Sequence, residues 1–472
     1  MSGLPDQVRA LLHRAFEVYR DRPSAAEWLR WQAERLDGPL RIAVLGQPKS
    51  GKSMLVNALV GEQVAPLADE ASATVWYLAG ATPAATVFPK DGPPRELDAE
   101  RVGGQLRVNL DEFHGRPIDR IVVDWPSRAL KGLALIDAPA SPAPAATDWL
   151  AEADAVLYLA QHVQAADLRL LRSVHQHPIA MANPVGTLLV LSRADEIGGS
   201  QLDALFAAKR LARQRRRDPR TRALCQDVVA VTGLLAYAGK TLRQNEFDAL
   251  ARLAFTPRAE LEGHLLSADR FAGDDVAVPE PVELRRALLD RLGLFGLRLA
   301  TALIRQGFDT HTALCAELLQ RSGLTELRAG IGRHLTGRAD VLKARSALIA
   351  LDVMLRGEPR PAAVALAAEL ERTLAAAHDL RELRLLAALD AGHPVLPGAL
   401  DTEARRLLGG DGVSVPARLG LPDEPTATGV RHAVIGALRR WRAHAENPVL
   451  DESARDAAAV VVRSCEGMLA AG

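Results

Sequence analysis

Apolar positions change their spacing twice along the chain. At Val8, Leu11, Leu12, Ala15, Phe16 and Tyr19 they repeat every three or four residues, which is one face of a helix. Pro23 interrupts that face, and "SAAEWLRWQAERL" starts a second helix for which Ser24 offers an N-cap. From Arg41 to about Thr232 short apolar runs take over: "RIAVLG", "TVWYLA", "ATVF", "RIVVDW", "LALID", "AVLYLA", "TLLVLS" and "VVAV". Several are unbroken β-branched or leucine runs, the pattern of strands covered on both faces. This stretch predicts a doubly wound α/β domain with an antiparallel excursion around residues 75–125. Past Leu234 the strand pattern stops and helical spacing runs to the end, broken at Gly357–Pro361 and across "AGHPVLPGALD" (Ala391–Asp401). The expected division is 1–38, N-terminal helices joining a neck or trunk; 39–235, the α/β core; 236–340, a helical extension or neck; and 341–472, a helical trunk bundle.

A length of 472 residues with 48% hydrophobic content supports two or three such units. Acidic and basic residues balance at 58 each, so no global field draws the chain to nucleic acid or anionic lipid. Cys225, Cys315 and Cys465 are far apart and form no C-x-x-C pair, which points to a reducing compartment rather than a disulfide framework. The N-terminal segment is charged throughout and carries no secretory h-region, and no apolar run reaches the roughly 18–20 residues a bilayer span needs. The expectation is a cytoplasmic protein with only peripheral contact at the inner face of the cell membrane. Seven of the 58 basic residues are lysines, so the position of each lysine carries information.

The candidate chemistry lies in the α/β stretch. Gly46-Gln47-Pro48-Lys49-Ser50-Gly51-Lys52-Ser53 fits G-x-x-x-x-G-K-S between an apolar strand and a helix, the context that defines a phosphate-binding loop. Backbone N–H groups of such a loop point at the phosphates, helped by the positive end of the following helix. Lys52 is expected to reach the β- and γ-phosphates, and Ser53 to ligate Mg²⁺. Ser192-Arg193-Ala194-Asp195 ends a buried strand where GTP-binding domains carry [NT]-K-x-D. Asp195 can accept both N1–H and N2–H of guanine, a pairing adenine cannot offer, and the Arg193 stem can cover the base as the usual lysine does. GTP or GDP with Mg²⁺ is the expected ligand set. Asp137, ending "LALIDAPA", stands where D-x-x-G holds Mg²⁺ through water, with Ala140 in place of the glycine. Thr74 is the candidate for the switch threonine that closes onto Mg²⁺, with Ser72 nearby, and Thr232-Gly233 stands where a small-residue loop meets the base.

Other signals read as structural. His175 and His177 have no framing acid or cysteine, and the basic run Lys209–Arg222 reads as a solvated helix face.

With these motifs in order the chain resembles the dynamin superfamily of large GTPases, and more closely the actinobacterial dynamin-like proteins of the isoniazid-inducible family. The broad resemblance rests on "GQPKSGKSMLVNALVGEQVAP", including Asn57, Ala58 and Leu59, followed by the Thr-bearing switch and the helical remainder. The narrower one rests on "SRADEIG", "VTGLLA", "TLRQNEF", "LLSADRF", Gln320–Leu324, "GRADVLKARSAL" and "ARLGL". The resemblance implies a GTPase head, a neck built partly from N-terminal helices, nucleotide-driven head-to-head self-association and a trunk that meets the membrane. It also implies a second dynamin-like protein as partner and a role in envelope stress. Gln47, Pro48, Lys49 and Ser50 depart from the loop of dynamins proper, whereas guanylate-binding proteins carry an arginine where Lys49 stands. Lys49 is therefore a candidate internal cation, while Ala140 points to slow hydrolysis.

Three functions follow: a membrane-remodelling GTPase, a GTP-bound scaffold that regulates a dynamin-like partner, and, disfavoured by the neutral charge, an RNA-associated GTPase. The turns at Arg356–Pro361 and Gly392–Leu400 are the expected membrane tips, the second through exposed Val395, Leu396 and Leu400.

Overall fold

A computed structural model of the chain describes residues 3–65, 73–113, 116–138, 152–174, 186–197, 203–273, 278–390, 395–422 and 424–471. Two N-terminal helices, α1 (Leu4–Tyr19) and α2 (Pro23–Asp37), lead into β1 (Leu40–Gly46) and α3 (Lys52–Val60). Strands β2 (Thr74–Ala79), β3 (Ala84–Pro89), β4 (Arg95–Leu97), β5 (Ala99–Val102), β6 (Gln105–Val108), β7 (Ile118–Trp125) and β8 (Leu133–Asp137) follow. Then come β9 (Ala155–Ala160), α4 (Ala165–Val174), β10 (Thr187–Leu191) and β11 (Asp227–Ala230), and from Gly233 every described element is helical.

Nine strands form one sheet in the order β11-β10-β9-β1-β8-β2-β7-β3-β4. The first five run parallel, β2 pairs antiparallel with β8, and β3 and β4 continue in antiparallel pairing. The central strands alternate between two cores. Ile42, Val44, Leu157, Leu188 and Val190 face one, and Ala43, Leu45, Tyr158, Leu189 and Leu191 face the other. That period of two with burial on both sides explains why the strands read as unbroken apolar runs. The doubly wound head with a helical trunk is the architecture expected from the sequence. Beyond expectation is the β5–β6 hairpin, whose positions are all exposed or half-buried and so lack an apolar run.

A third core belongs to the trunk. Leu4, Val8, Leu11, Leu12, Ala15 and Tyr19 of α1 pack with Leu348, Leu351, Leu366, Leu386, Trp441 and Val461. Ser24 does not cap α2, because Pro23 takes the first helical position, where a missing N–H costs nothing. Two long apolar stretches also break in the middle. Gly293 adopts φ 64° inside the helix Val282–Arg305, and Ala377 is extended between Val364–Ala376 and His378–Asp390.

Head and trunk meet at Asp154, the residue before β9. Its carboxylate accepts from Arg35 Nη2 of α2 at 2.6 Å and from the Arg41 backbone N–H at 3.0 Å, with both side chains of the ion pair wholly buried. The helix Ala339–Gly357 crosses this point: Arg345 Nη2 donates to the Asp154 carbonyl at 3.4 Å, and Lys343 Nζ caps α2 through Leu36 O at 2.7 Å. Burial lowers the pKa of both Arg345 and Arg41 to about 10. A second contact joins Arg222 of the head to Asp390, which Arg405 also holds.

Both expected membrane tips contact the rest of the chain through described residues. Arg360 holds Asp21 at 2.6 and 2.8 Å and donates to Val18 O, while Tyr19 Oη donates to Glu358 O at 2.6 Å, so the turn at 356–361 is docked on α1. Leu396 is 5% exposed, and Val395 and Leu400 pack on the trunk core, because their spacing serves the helix Gly398–Leu407 rather than solvent. Residues 391–394 lie outside the described residues. Among the described residues no helix is long and apolar enough to cross a membrane.

Removing the Asp154 carboxylate leaves buried guanidinium charge uncompensated. Asp154→Ala is expected to destabilise the protein by about 3–5 kcal/mol in urea unfolding, and a loss under 1 kcal/mol contradicts that role.

Candidate functional site

Strands β1, β8, β10 and β11 end on the same edge of the sheet, and the chemistry-bearing residues cluster there, at the carboxyl ends of parallel strands where open α/β sheets bind ligands. The loop from Gly46 to Ser53 turns the chain from β1 into α3. An added Cβ at Gly46 would lie 2.6 Å from both Leu159 O and Ser50 Oγ, so no other residue fits. Gly51 caps α3 at φ 91°, and Lys49 adopts φ 61°, a left-handed conformation uncommon for a residue with a side chain. Gln47, Pro48 and Lys49 are exposed, whereas Ser50 and Lys52 are buried. Lys52 Nζ lies over its own loop, 3.4 Å from Gly46 O.

Ser53 Oγ donates to Asp137 Oδ2 at 3.4 Å. Asp137 follows Leu135 on the sheet face that α3 covers. Thr74 is placed differently. It is the buried first residue of β2 and not a loop residue, and its neighbour Val75 is the one paired with Asp137. Directly paired residues share a face, so Thr74 points to the opposite side of the sheet from Ser53 and Asp137. In this conformation it does not face the Ser53–Asp137 pair. Ser72, Ala140, His175 and His177 lie outside the described residues.

Arg193 and Asp195 follow β10. Arg193 stands at φ 52°, donates through Nε to Glu196 at 2.7 Å, and lies 3.4 Å from Lys49 O, which ties the base loop to the phosphate loop. Gln161 Nε2 fixes the other Glu196 oxygen at 2.7 Å. Burial raises the Asp195 pKa, opposed by a hydrogen bond with its own backbone. Gly233 opens the next helix where an added Cβ would meet Met54 Cγ at 2.9 Å. Lys49, Ser50, Gly51, Arg193, Asp195 and Gly233 line one cavity of about 210 Å³, with Leu55, Leu159 and Val190 among its apolar walls. The lining fits a nucleotide. Ser50 Oγ and Ser192 Oγ are buried without a hydrogen-bond partner among the described residues, and the Gly46 turn excludes any side chain.

Two supports were not legible as site residues. Asn57 Oδ1 accepts from Val64 N and Ala65 N, both at 2.8 Å, and its Nδ2 donates to Ala65 O at 2.6 Å. One amide on α3 therefore anchors the chain where it departs from the helix, and an asparagine inside an otherwise apolar helix is the signal. Tyr158 Oη donates to buried Asp167 at 2.7 Å, which ties β9 to α4. The run Lys209–Arg222 spans the helices Ala204–Arg217 and Pro219–Arg222; Lys209 pairs with Glu326 and Arg216 with Asp227, while Arg210, Arg213 and Arg217 are exposed.

A phosphate loop on β1, a guanine-type aspartate after β10 and a helical trunk define a GTPase of the large, dynamin-like class. No family model matches the chain. It is 36% identical over 485 residues to the isoniazid-induced protein IniC of Mycobacterium tuberculosis, strains CDC 1551 and H37Rv, with 98% of both chains covered. The chain belongs to this IniC family of dynamin-like proteins. A segment of 66 residues, 14% of the chain, is 46% identical to the tRNA modification GTPase MnmE of Acidiphilium cryptum. Among solved structures, a member of an oligomerised bacterial dynamin pair described as sensing and tethering membranes overlaps 99% of this chain and 73% of its own. Its TM-score is 0.33 at 13% identity. The bacterial dynamin GTPase LeoA overlaps 99% of this chain and 85% of its own at TM-score 0.24 and 12% identity.

Gly46→Ala is expected to destabilise the head by about 1–3 kcal/mol through overpacking and to abolish guanine nucleotide binding in calorimetry. Retained binding would show that the loop does not need this close approach.

Proposed function

We propose that the chain binds GTP and GDP at the β1–α3 loop, hydrolyses GTP, and couples that cycle to its trunk as a membrane-associated machine. The observation that carries this reading is the convergence of the phosphate loop and Asp195 on one cavity. Backbone N–H groups of the loop and the Lys52 ammonium supply positive charge to the phosphates, and Asp195 accepts the guanine N–H pair. Ser53 and Asp137 would hold Mg²⁺, which neutralises phosphate charge as the transferred group develops it. Lys49, exposed and held by its backbone at the cavity rim, places a second cation beside the phosphates. It acts as a charge stabiliser supplied by the chain itself. Nucleotide-driven head pairing, a second dynamin-like partner and peripheral attachment at the inner face of the membrane complete the reading, supported by family membership.

Four outcomes test it. Lys52→Ala is expected to lose GTP and GDP binding together. Lys49→Ala is expected to keep GTP affinity while turnover falls about a hundredfold, the usual size for one missing charge stabiliser. Because burial raises the Asp195 carboxyl above the ordinary aspartate range, guanine affinity declines on acidification before an exposed aspartate would lose its charge. GTP turnover is expected to rise with anionic liposomes or with a neighbouring dynamin-like protein. Turnover absent under every condition, with tight GTP binding, contradicts the enzyme and leaves a scaffold.

A further inference from the structure

A second cavity, of about 560 Å³, opens at the far ends of the two helices that border the nucleotide cavity. α3 starts with Lys52 and Ser53 and brings Leu59 and Val60 to this cavity at its other end. The helix Gly233–Thr241 starts beside Asp195 and brings Lys240, its last residue but one. Leu133, Leu135 and Ile331 complete an apolar wall.

The charged lining has one sign. Arg128, Lys240 and Arg328 line the cavity, and no carboxylate does. Nor do the carbonyls at the end of α3 satisfy Lys240. Asn57 O accepts from Gly61 N at 2.7 Å, Leu59 O from Arg328 Nη2 at 2.7 Å, and Val60 O from Ser127 Oγ at 3.0 Å. Lys240 Nζ lies close over Gly61, where an added Cβ would be 3.3 Å away, and has no hydrogen-bond or ion-pair partner among the described residues. Burial and the neighbouring Arg328 pull its pKa down to about 8, and burial lowers Arg328 as well. Two half-buried cations side by side are electrostatically unfavourable unless negative charge arrives from outside. The cavity lies within the size range of small-molecule sites, with an apolar body and a few convergent polar groups.

We propose that this cavity binds a phosphate-headed ligand with an apolar stem, its phosphate on Lys240, Arg328 and Arg128 and its stem along Leu59, Leu133, Leu135 and Ile331. Phosphate is the head that suits three donors on separate elements, since its oxygens accept from several directions at once. The site is separate from the nucleotide cavity: α3 rises about 1.5 Å per residue between the two.

The probe is n-octyl phosphate, titrated calorimetrically into the full chain, with inorganic phosphate and octanol as the two half-ligands. Octyl phosphate is expected to bind, with inorganic phosphate at least tenfold weaker and octanol silent. Lys240→Gln is expected to weaken octyl phosphate about tenfold, the value of one charge-assisted hydrogen bond, while Lys240→Arg retains it. Arg128→Gln, at an exposed position, provides a second variant with a smaller loss. The phosphate loop could capture the same head group, but binding there would not respond to Lys240. Equal affinity in Lys240→Gln and wild type, or no binding of octyl phosphate to either, overturns the proposal. Inorganic phosphate binding as tightly as octyl phosphate overturns the apolar stem.

Discussion

The buried carboxylate of Asp154 is the constraint on which the arrangement of this protein depends. It stands between β1 and β9, takes the Arg35 guanidinium from an N-terminal helix, and lies against Arg345 of the helix that runs into the trunk. A charge wholly removed from water is tolerated only where its partners are fixed, so the three elements cannot shift independently. β1 and β9 both start at this knot and end at the phosphate loop, where Gly46 touches the Leu159 carbonyl.

The same logic explains where the scarce lysines stand. Lys52 lies over the phosphate loop, Lys49 is held at its rim in a left-handed backbone, and Lys343 caps α2 at the neck. Lys240 stands over the end of α3 with no hydrogen-bond or ion-pair partner among the described residues. At Lys52, Lys240 and Lys343, in a chain that otherwise uses arginine, a compact ammonium on a flexible stem brings one charge to a crowded point.

Much of this was legible in the sequence, because the informative features were local. The phosphate loop, the strands buried on both faces and the aspartate after β10 each announce themselves by pattern within a few residues. What was not legible depended on distant partners. Thr74 reads as a loop threonine, but pairing of Val75 with Asp137 turns it to the other face of the sheet. Val395, Leu396 and Leu400 read as an exposed wedge, yet a helix that follows at once folds them onto the trunk. Arg360 reads as part of a free tip until Asp21, far away in sequence, claims it. Asn57 and Tyr158 gain their meaning only from what the fold brings to them.

We propose above all that the cavity between the phosphate loop and Asp195 selects guanine nucleotides. Hydrogen exchange of the full chain with Mg²⁺ and equal concentrations of GTP or ATP tests it most directly. Slowed exchange at residues 46–53 and 192–196 with GTP, with little change with ATP, is the expected result. Equal protection by both nucleotides, or by neither, would contradict it.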